Sequence, residues 1–237
     1  MASLEGKKVL VVGRGSGIAR AVVDALLSAG SAVVIAGRDA AKLTDAVEGT
    51  AVSVETLDVT DEKSVSALAR RLARVDHVVT TASARARGKV GDLAAATVAE
   101  SFATKAIGPI LLAKHLAPIM PADGSFVLFS GATAVHPTIG MLAVAATNGA
   151  VESITKGLAV ELAPIRVNAI APGTIDTGAY DGLGAAAKAA LFADRAKRTP
   201  AHRVGAADDV AAAVLFALTA DFVTGISIAV DGGEILV

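Results

Sequence analysis

Three glycines at alternate positions, in Gly13-Arg14-Gly15-Ser16-Gly17, follow four branched apolar residues, Val9-Leu10-Val11-Val12. They stand directly before Ile18-Ala19 and a helix-like segment over 21–29. An unbroken apolar run suits a strand buried on both faces, as in a parallel sheet. Glycines after such a strand let the backbone turn tightly and let a pyrophosphate approach it. The next helix then turns its free amides and positive dipole end toward that phosphate. Gly13, Arg14, Gly15, Ser16, Gly17 and Ile18 are therefore candidate dinucleotide-binding residues; the alternative is a plain tight strand–helix turn. Other chemistries are restricted. With no Cys in the chain, disulfides, thiol nucleophiles and Cys-ligated metals are excluded. The four His are scattered without ligand spacing, so no metal site is predicted.

The elements that must position this turn are legible from the pattern of apolar runs. Strands are predicted over 8–12, 32–36, 52–57, 77–80, 125–129, 166–170 and 226–230. Helical windows lie between them, over 18–29, 40–47, 61–72, 96–119, 141–162, 183–197 and 207–219. Asp61 and Asp208-Asp209 supply caps and early negative charge to two of these helices. Pro121, Pro172 and Pro200 fall in predicted loops. Strands separated by helices imply an α/β class. The expected fold is a single-domain, Rossmann-like doubly wound one, a seven-stranded parallel sheet with helices on both faces. No linker or repeat divides residues 1–237, a length that suits one large domain.

Composition narrows the partners. Aromatics are only 3% and net charge is −1 with no basic run, so neither nucleic acid nor an anionic membrane is expected. No apolar run reaches bilayer-spanning length. The first residues lead straight into the first strand without a signal peptide, so a cytoplasmic location is expected. The windows 96–119 and 141–162 are apolar over much of their circumference, which suits burial or an interface and predicts a homo-oligomer, a dimer or a tetramer.

Several further segments resemble the short-chain dehydrogenase/reductase family along nearly the whole chain. The glycine turn fits in part, with Val12 for the family's Thr and Ala19 for its last Gly. Leu57-Asp58-Val59 is similar to the adenine-binding strand end. Ile165-Arg166-Val167-Asn168-Ala169-Ile170-Ala171-Pro172-Gly173 and Thr224-Gly225 with Val230-Asp231-Gly232-Gly233 carry the more specific likeness. The resemblance implies an NAD(P) site. Gly13, Gly15 and Gly17 would line the pyrophosphate, and Asp58 and Val59 would contact the adenine. Pro172, Gly173, Ile175 and Thr177 would meet the nicotinamide. An NAD enzyme tends to carry an acid after the second strand that bonds the ribose hydroxyls. Here the acid's place holds Gly37, followed by Arg38, which would attract a 2′-phosphate with help from Arg14 and Ser16. NADP(H) is the expected cofactor; the alternative is that Arg38 is a solvated loop charge.

The family's chemistry uses Asn, Ser, Tyr and Lys. Registered from Gly124–Ser130 and Lys156–Leu162, the Ser position holds Gly131, the Tyr position Val144 and the Lys position Asn148. Lys105 stands where the family has Asn, and Thr80-Thr81-Ala82-Ser83 replaces Asn-Asn-Ala-Gly. The single Tyr, Tyr180, lies in the loop after Pro172-Gly173 and does not fill the gap. The Asn and the Lys are thus exchanged. Lys105 is expected to act as a proton donor or electrostatic clamp, or to form an ordinary buried or interfacial ion pair. Asn148 would bond ribose hydroxyls. Ser130 is a substitute for the Ser, and His136 is a candidate general acid or a solvated loop residue. Arg85 and Arg87 would bind an anionic substrate group or form a charged rim. The reading that follows is an NADP(H)-dependent oxidoreductase with an altered site, acting on a small carbonyl, imine or activated C=C substrate. The alternatives are a non-catalytic NADP(H)-binding sensor or assembly subunit, and a non-redox enzyme using an inherited cavity.

Overall fold

The computed structural model describes residues 2–237. Its centre is β1 (Lys8–Val12), whose apolar run is divided between two cores. Val9 and Val11 face one side of the sheet, and Leu10 and Val12 face the other. Alternating side chains of a strand point to opposite faces, so a strand covered on both sides must be apolar at every position. The chain continues through α1 (Ile18–Ser28), β2 (Ala32–Gly37), α2 (Ala40–Ala46), β3 (Ser53–Thr56), α3 (Glu62–Leu72) and β4 (His77–Thr80). Then come α4 (Ala95–Phe102), α5 (Gly108–Leu116), β5 (Ser125–Phe129), α6 (Leu142–Glu161) and β6 (Arg166–Pro172). The last part holds β7 (Ile175–Asp176), α7 (Ala185–Arg198), β8 (Gly205–Ala206), α8 (Ala207–Thr219) and β9 (Ser227–Val230).

Seven strands form one parallel sheet in the order β3-β2-β1-β4-β5-β6-β9. Residues of α1 and α8 cover one face, while α3, α5 and α6 cover the other. This is the single-domain doubly wound α/β fold expected from the sequence. Because all strands run the same way, their C-terminal ends and the loops after them gather at one edge. The glycine turn, Asp58, Thr80-Thr81, Ser130 and Pro172-Gly173 all lie there. Ligands of open α/β sheets bind at that edge.

Two expectations need correction, and one feature is new. The window 96–119 is not one helix: a π-helical turn, Ala103–Ile107, separates α4 from α5. Pro109 explains it, since it has no N–H to give to the carbonyl four residues back, that of Lys105. Pro172 is not in a loop. It ends β6, where its missing N–H falls at the strand terminus and Gly173 N donates to Val230 O at 3.1 Å. The two-residue strands β7 and β8 form a small second sheet that apolar patterning did not signal.

Asn168 and Arg166, the most distinctive residues of the β6 motif, prove to be architectural. Asn168 Nδ2 donates to Val223 O (2.8 Å), and Ile226 N donates to Asn168 Oδ1 (3.3 Å). The Arg166 guanidinium donates to the carbonyls of Ala217 (2.7 Å), Leu218 (2.7 Å) and Val223 (3.3 Å). It thereby satisfies carbonyls at the end of α8 that have no partner inside the helix.

Candidate active site

At the start of α1 the backbone itself is the binding surface. Gly17 caps the helix at φ +55°, and no side chain bonds the first free amides. A Cβ on Gly17 would lie 2.9 Å from Thr177 O, so conformation and close approach both demand glycine. Arg14 and Ser16 stand exposed at the turn, and Arg38 is exposed at the end of β2. A Cβ at position 37 would come within 2.7 Å of Gly13 O, so a ribose-binding acid there would require the turn to move. Asp58 accepts from Thr60 N (2.9 Å) and Thr60 Oγ1 (2.7 Å). These bonds, first that of the Thr60 hydroxyl, with the charge of Arg38 nearby, hold its carboxyl below the usual range. Val59 is buried against Gly108 at the start of α5. A free helix N-terminus, an uncapped glycine cradle and two unpaired arginines fit a phosphorylated dinucleotide.

Across the sheet edge, Lys105 comes from the π turn and is only 8% exposed. Its Nζ donates to Ser130 O at 3.1 Å and, very closely, to Asn148 Oδ1. The exchanged pair is therefore in direct contact. Asn148 Nδ2 donates to Thr133 Oγ1 at 2.7 Å, and Asn148 is 3% exposed. Its amide thus faces protein on both sides and does not present the free ribose-binding group expected. Ser130 Oγ donates to Asn148 O (3.1 Å) and Glu152 Oε1 (3.2 Å), tying β5 to α6. It serves as a brace and does not replace the missing hydroxyl.

Gly131 stands directly against this pair. A Cβ there would lie 2.7 Å from Asn148 Nδ2. The side chain that the family carries at this position would collide with the amide that holds Lys105.

Among the described residues no carboxylate of this chain lies within ion-pair distance of Lys105. Burial, with a smaller push from the Arg85 charge, pulls its pKa down to about 7. Val144 is buried, and Tyr180 is half-buried with its ring edge-on to Phe192 at 5.4 Å. His136 is exposed in the loop after β5, hydrogen-bonded through its backbone, and lies outside the buried cluster.

The Pro172-Gly173-Thr174 turn is fixed by a contact that the motifs did not reveal. Thr174 N and Oγ1 donate to Glu234 carboxylate oxygens at 2.6 and 3.0 Å, and Arg195 lies 3.4 Å from the same group. Asp231 in turn accepts from Gly233 N and Ile235 N. Ile175 is 5% exposed and packs into the core, so its side chain does not face a ligand as expected. Thr177 lies over Gly17. An acid at 234, near the conspicuous Asp231-Gly232-Gly233, was the only available signal.

A parallel sheet with a glycine turn at its C-terminal edge is the architecture of dinucleotide-binding folds. Comparison with known proteins makes this specific. The family described as Enoyl-(Acyl carrier protein) reductase matches residues 12–234. The short-chain dehydrogenase/reductase ucsE of Acremonium sp is 31% identical over 98% of this chain and 97% of its own length. The MalC Reductase/Diels-Alderase from Malbranchea aurantiaca has a TM-score of 0.91 at 29% identity, covering 99% of this chain and 98% of that one. A small-chain dehydrogenase in complex with NADPH has a TM-score of 0.83 at 35% identity, covering 98% and 100%. The chain belongs to the short-chain dehydrogenase/reductase family, and it is an oxidoreductase of that type, a family that binds a nicotinamide cofactor.

Proposed function

We propose that this chain is an NADP(H)-dependent reductase or dehydrogenase in which Lys105 replaces the family's tyrosine as proton donor. The observation that carries the reading is the contact between Lys105 and Asn148 under the glycine of position 131. A site that had merely decayed has no reason to keep a buried, carboxylate-free ammonium held by two oxygens. Gly13, Gly15, Gly17 and the amides of α1 would hold the pyrophosphate. Arg14, Ser16 and Arg38 would hold the 2′-phosphate, Asp58 and Val59 the adenine, and Pro172, Gly173 and Thr177 the nicotinamide. When bound, the nicotinamide supplies or accepts a hydride.

The protein's own part is the proton. A lysine with a pKa about 7 matches the working pH, which favours transfer in either direction. Ser130 O and Asn148 Oδ1 fix the ammonium in place, and Ser130 Oγ and Thr133 Oγ1 hold those partners. An ammonium is a weaker donor to a ketone oxygen than a tyrosine–lysine pair acting together. An imine or activated C=C bond makes a smaller demand and fits this donor best. The named neighbours support an oxidoreductase, and the NADPH complex among them agrees with the charge at Arg38.

Fluorescence titration with NADPH and NADH tests the cofactor. Tighter NADPH binding is expected, with the preference lost in Arg38→Asp; tighter NADH binding would reject it. NADPH oxidation against ketones, imines and enones tests the activity. The second reading, a non-catalytic NADP(H)-binding protein, rests on the buried Val144 in the tyrosine's place, and binding without any turnover would favour it.

A further inference from the structure

Glu234 brings together three parts of the chain. Its carboxylate accepts from Thr174 N (2.6 Å) and Thr174 Oγ1 (3.0 Å) in the turn after β6, and Arg195 of α7 lies 3.4 Å away. The Glu234 side chain is only 18% exposed, so these charge-assisted contacts offset its removal from water.

The segment that carries Glu234 is closed on itself. Glu234 N donates to Asp231 O (3.0 Å), and the Asp231 carboxylate accepts from Gly233 N (2.9 Å) and Ile235 N (3.3 Å). Gly233 takes φ +84°, and a Cβ there would lie 2.9 Å from Pro200, just after α7. On the other side, a Cβ on Gly173 would lie 2.6 Å from Glu234 Oε2 and 2.7 Å from Asp231 Cβ. The backbone of the turn after β6 is thus pressed against this carboxylate, and a shift of one is a shift of the other.

The third part, α7, is fastened differently. It has no fully buried residue. Besides Arg195, it is held by Lys188, which pairs with Asp176 (2.8 Å) and Asp181 (2.7 Å), and by Phe192 against Tyr180. A helix held by surface ion pairs moves more readily than one with a face in the core. Arg195 ties that helix to the carboxylate that sets the turn.

We infer that Glu234 is a positioning residue, whose carboxylate couples the placement of α7 to the Pro172-Gly173-Thr174 turn and through it to the nicotinamide end of the cofactor. The turn takes its working shape with α7 docked, and whatever displaces α7 is felt there. The nicotinamide clause rests on the cofactor placement proposed above; the coupling does not.

Two measurements keep these apart. In the ligand-free protein, the amide proton resonance of Thr174 reports its bond to Glu234. Arg195→Met, which leaves Thr174 and Glu234 in place, is expected to shift that resonance and to have no further effect in a Glu234→Gln background. In the second measurement, calorimetric titration compares NADPH with 2′-phospho-ADP-ribose, which lacks only the nicotinamide ring. Glu234→Ala is expected to weaken NADPH binding about tenfold, as for a lost hydrogen bond to a charged group, and to leave the truncated ligand unchanged. Glu234→Gln, which can still bond Thr174 but cannot pair with Arg195, is expected to restore most of that loss and to match Arg195→Met. The inference is overturned if Arg195→Met leaves the Thr174 resonance unmoved, or moves it equally in the Glu234→Gln background. It is equally overturned if Glu234→Ala weakens both ligands alike, since the carboxylate would then only support the fold. Coupling at Thr174 with NADPH affinity unchanged in Glu234→Ala would refute the placement of the nicotinamide on this turn and leave the coupling standing.

Discussion

Lys105 is the proposed proton donor, and its environment sets two expected outcomes. As proton donor it must be charged, so the rate of reduction falls as pH rises through about 7. In Lys105→Met that limb of the kcat profile disappears, and kcat drops roughly a hundred- to ten-thousand-fold while NADPH affinity stays. Unchanged kcat would end the assignment. The same residue leaves a mark on stability. Its folded pKa lies below the ordinary 10.5, so between about 7 and 10.5 the unfolded chain binds one more proton than the folded one. Stability therefore rises with pH across that window and is flat with respect to this group below it. Urea unfolding at pH 7 and pH 9 should show the slope in the parent and lose it in Lys105→Met. Gly131→Ser, which restores the family's residue, is expected to destabilise by about 1–3 kcal/mol through the clash with Asn148. Adding Asn148→Ala should remove most of that cost in a double-mutant cycle. The exchange of Lys and Asn was legible from register alone. Their contact was not, because it depends on how two helices face each other.

At the scale of elements, the strands were the most legible part. Four or five apolar residues in a row have one use in a parallel sheet. Thus β1 and β5 appear where the sequence predicts them. The helix broken at the π turn was less legible, although Pro109 carried the signal. Apolar periodicity runs through the break, and it reports burial without reporting which hydrogen bonds are made. The β6 motif read as cofactor-side proved to be partly a clamp on α8. Replacing Arg166 by Ala orphans carbonyls of Ala217 and Leu218 and is expected to cost about 3 kcal/mol in chemical unfolding. Arg166→Lys should not restore it, since one ammonium cannot span three carbonyls.

For the whole molecule, the sheet places the glycine turn, Asp58, Ser130 and Pro172-Gly173 at one edge, as a doubly wound parallel fold does. What sequence could not convey was which charges stay unpaired once the chain has folded, since pairing is settled in three dimensions. The outer surface has its own asymmetry. Ile107 and Ile110 on the α5 side, and Leu142 and Val160 on α6, are exposed apolar residues on elements flanking the active edge. Light scattering is expected to give a solution mass of two or four chains. Ile110→Glu with Val160→Glu is expected to lower that mass, and a monomeric parent would contradict it.

The carboxylate of Glu234 that grips Thr174 has a consequence in time. A nascent chain that has just emitted Thr174 must add sixty more residues before its holder exists. The 172–174 turn is thus closed by a residue sixty positions further along the chain, so it depends on long-range folding in a way that the glycine turn, built from neighbouring residues, does not.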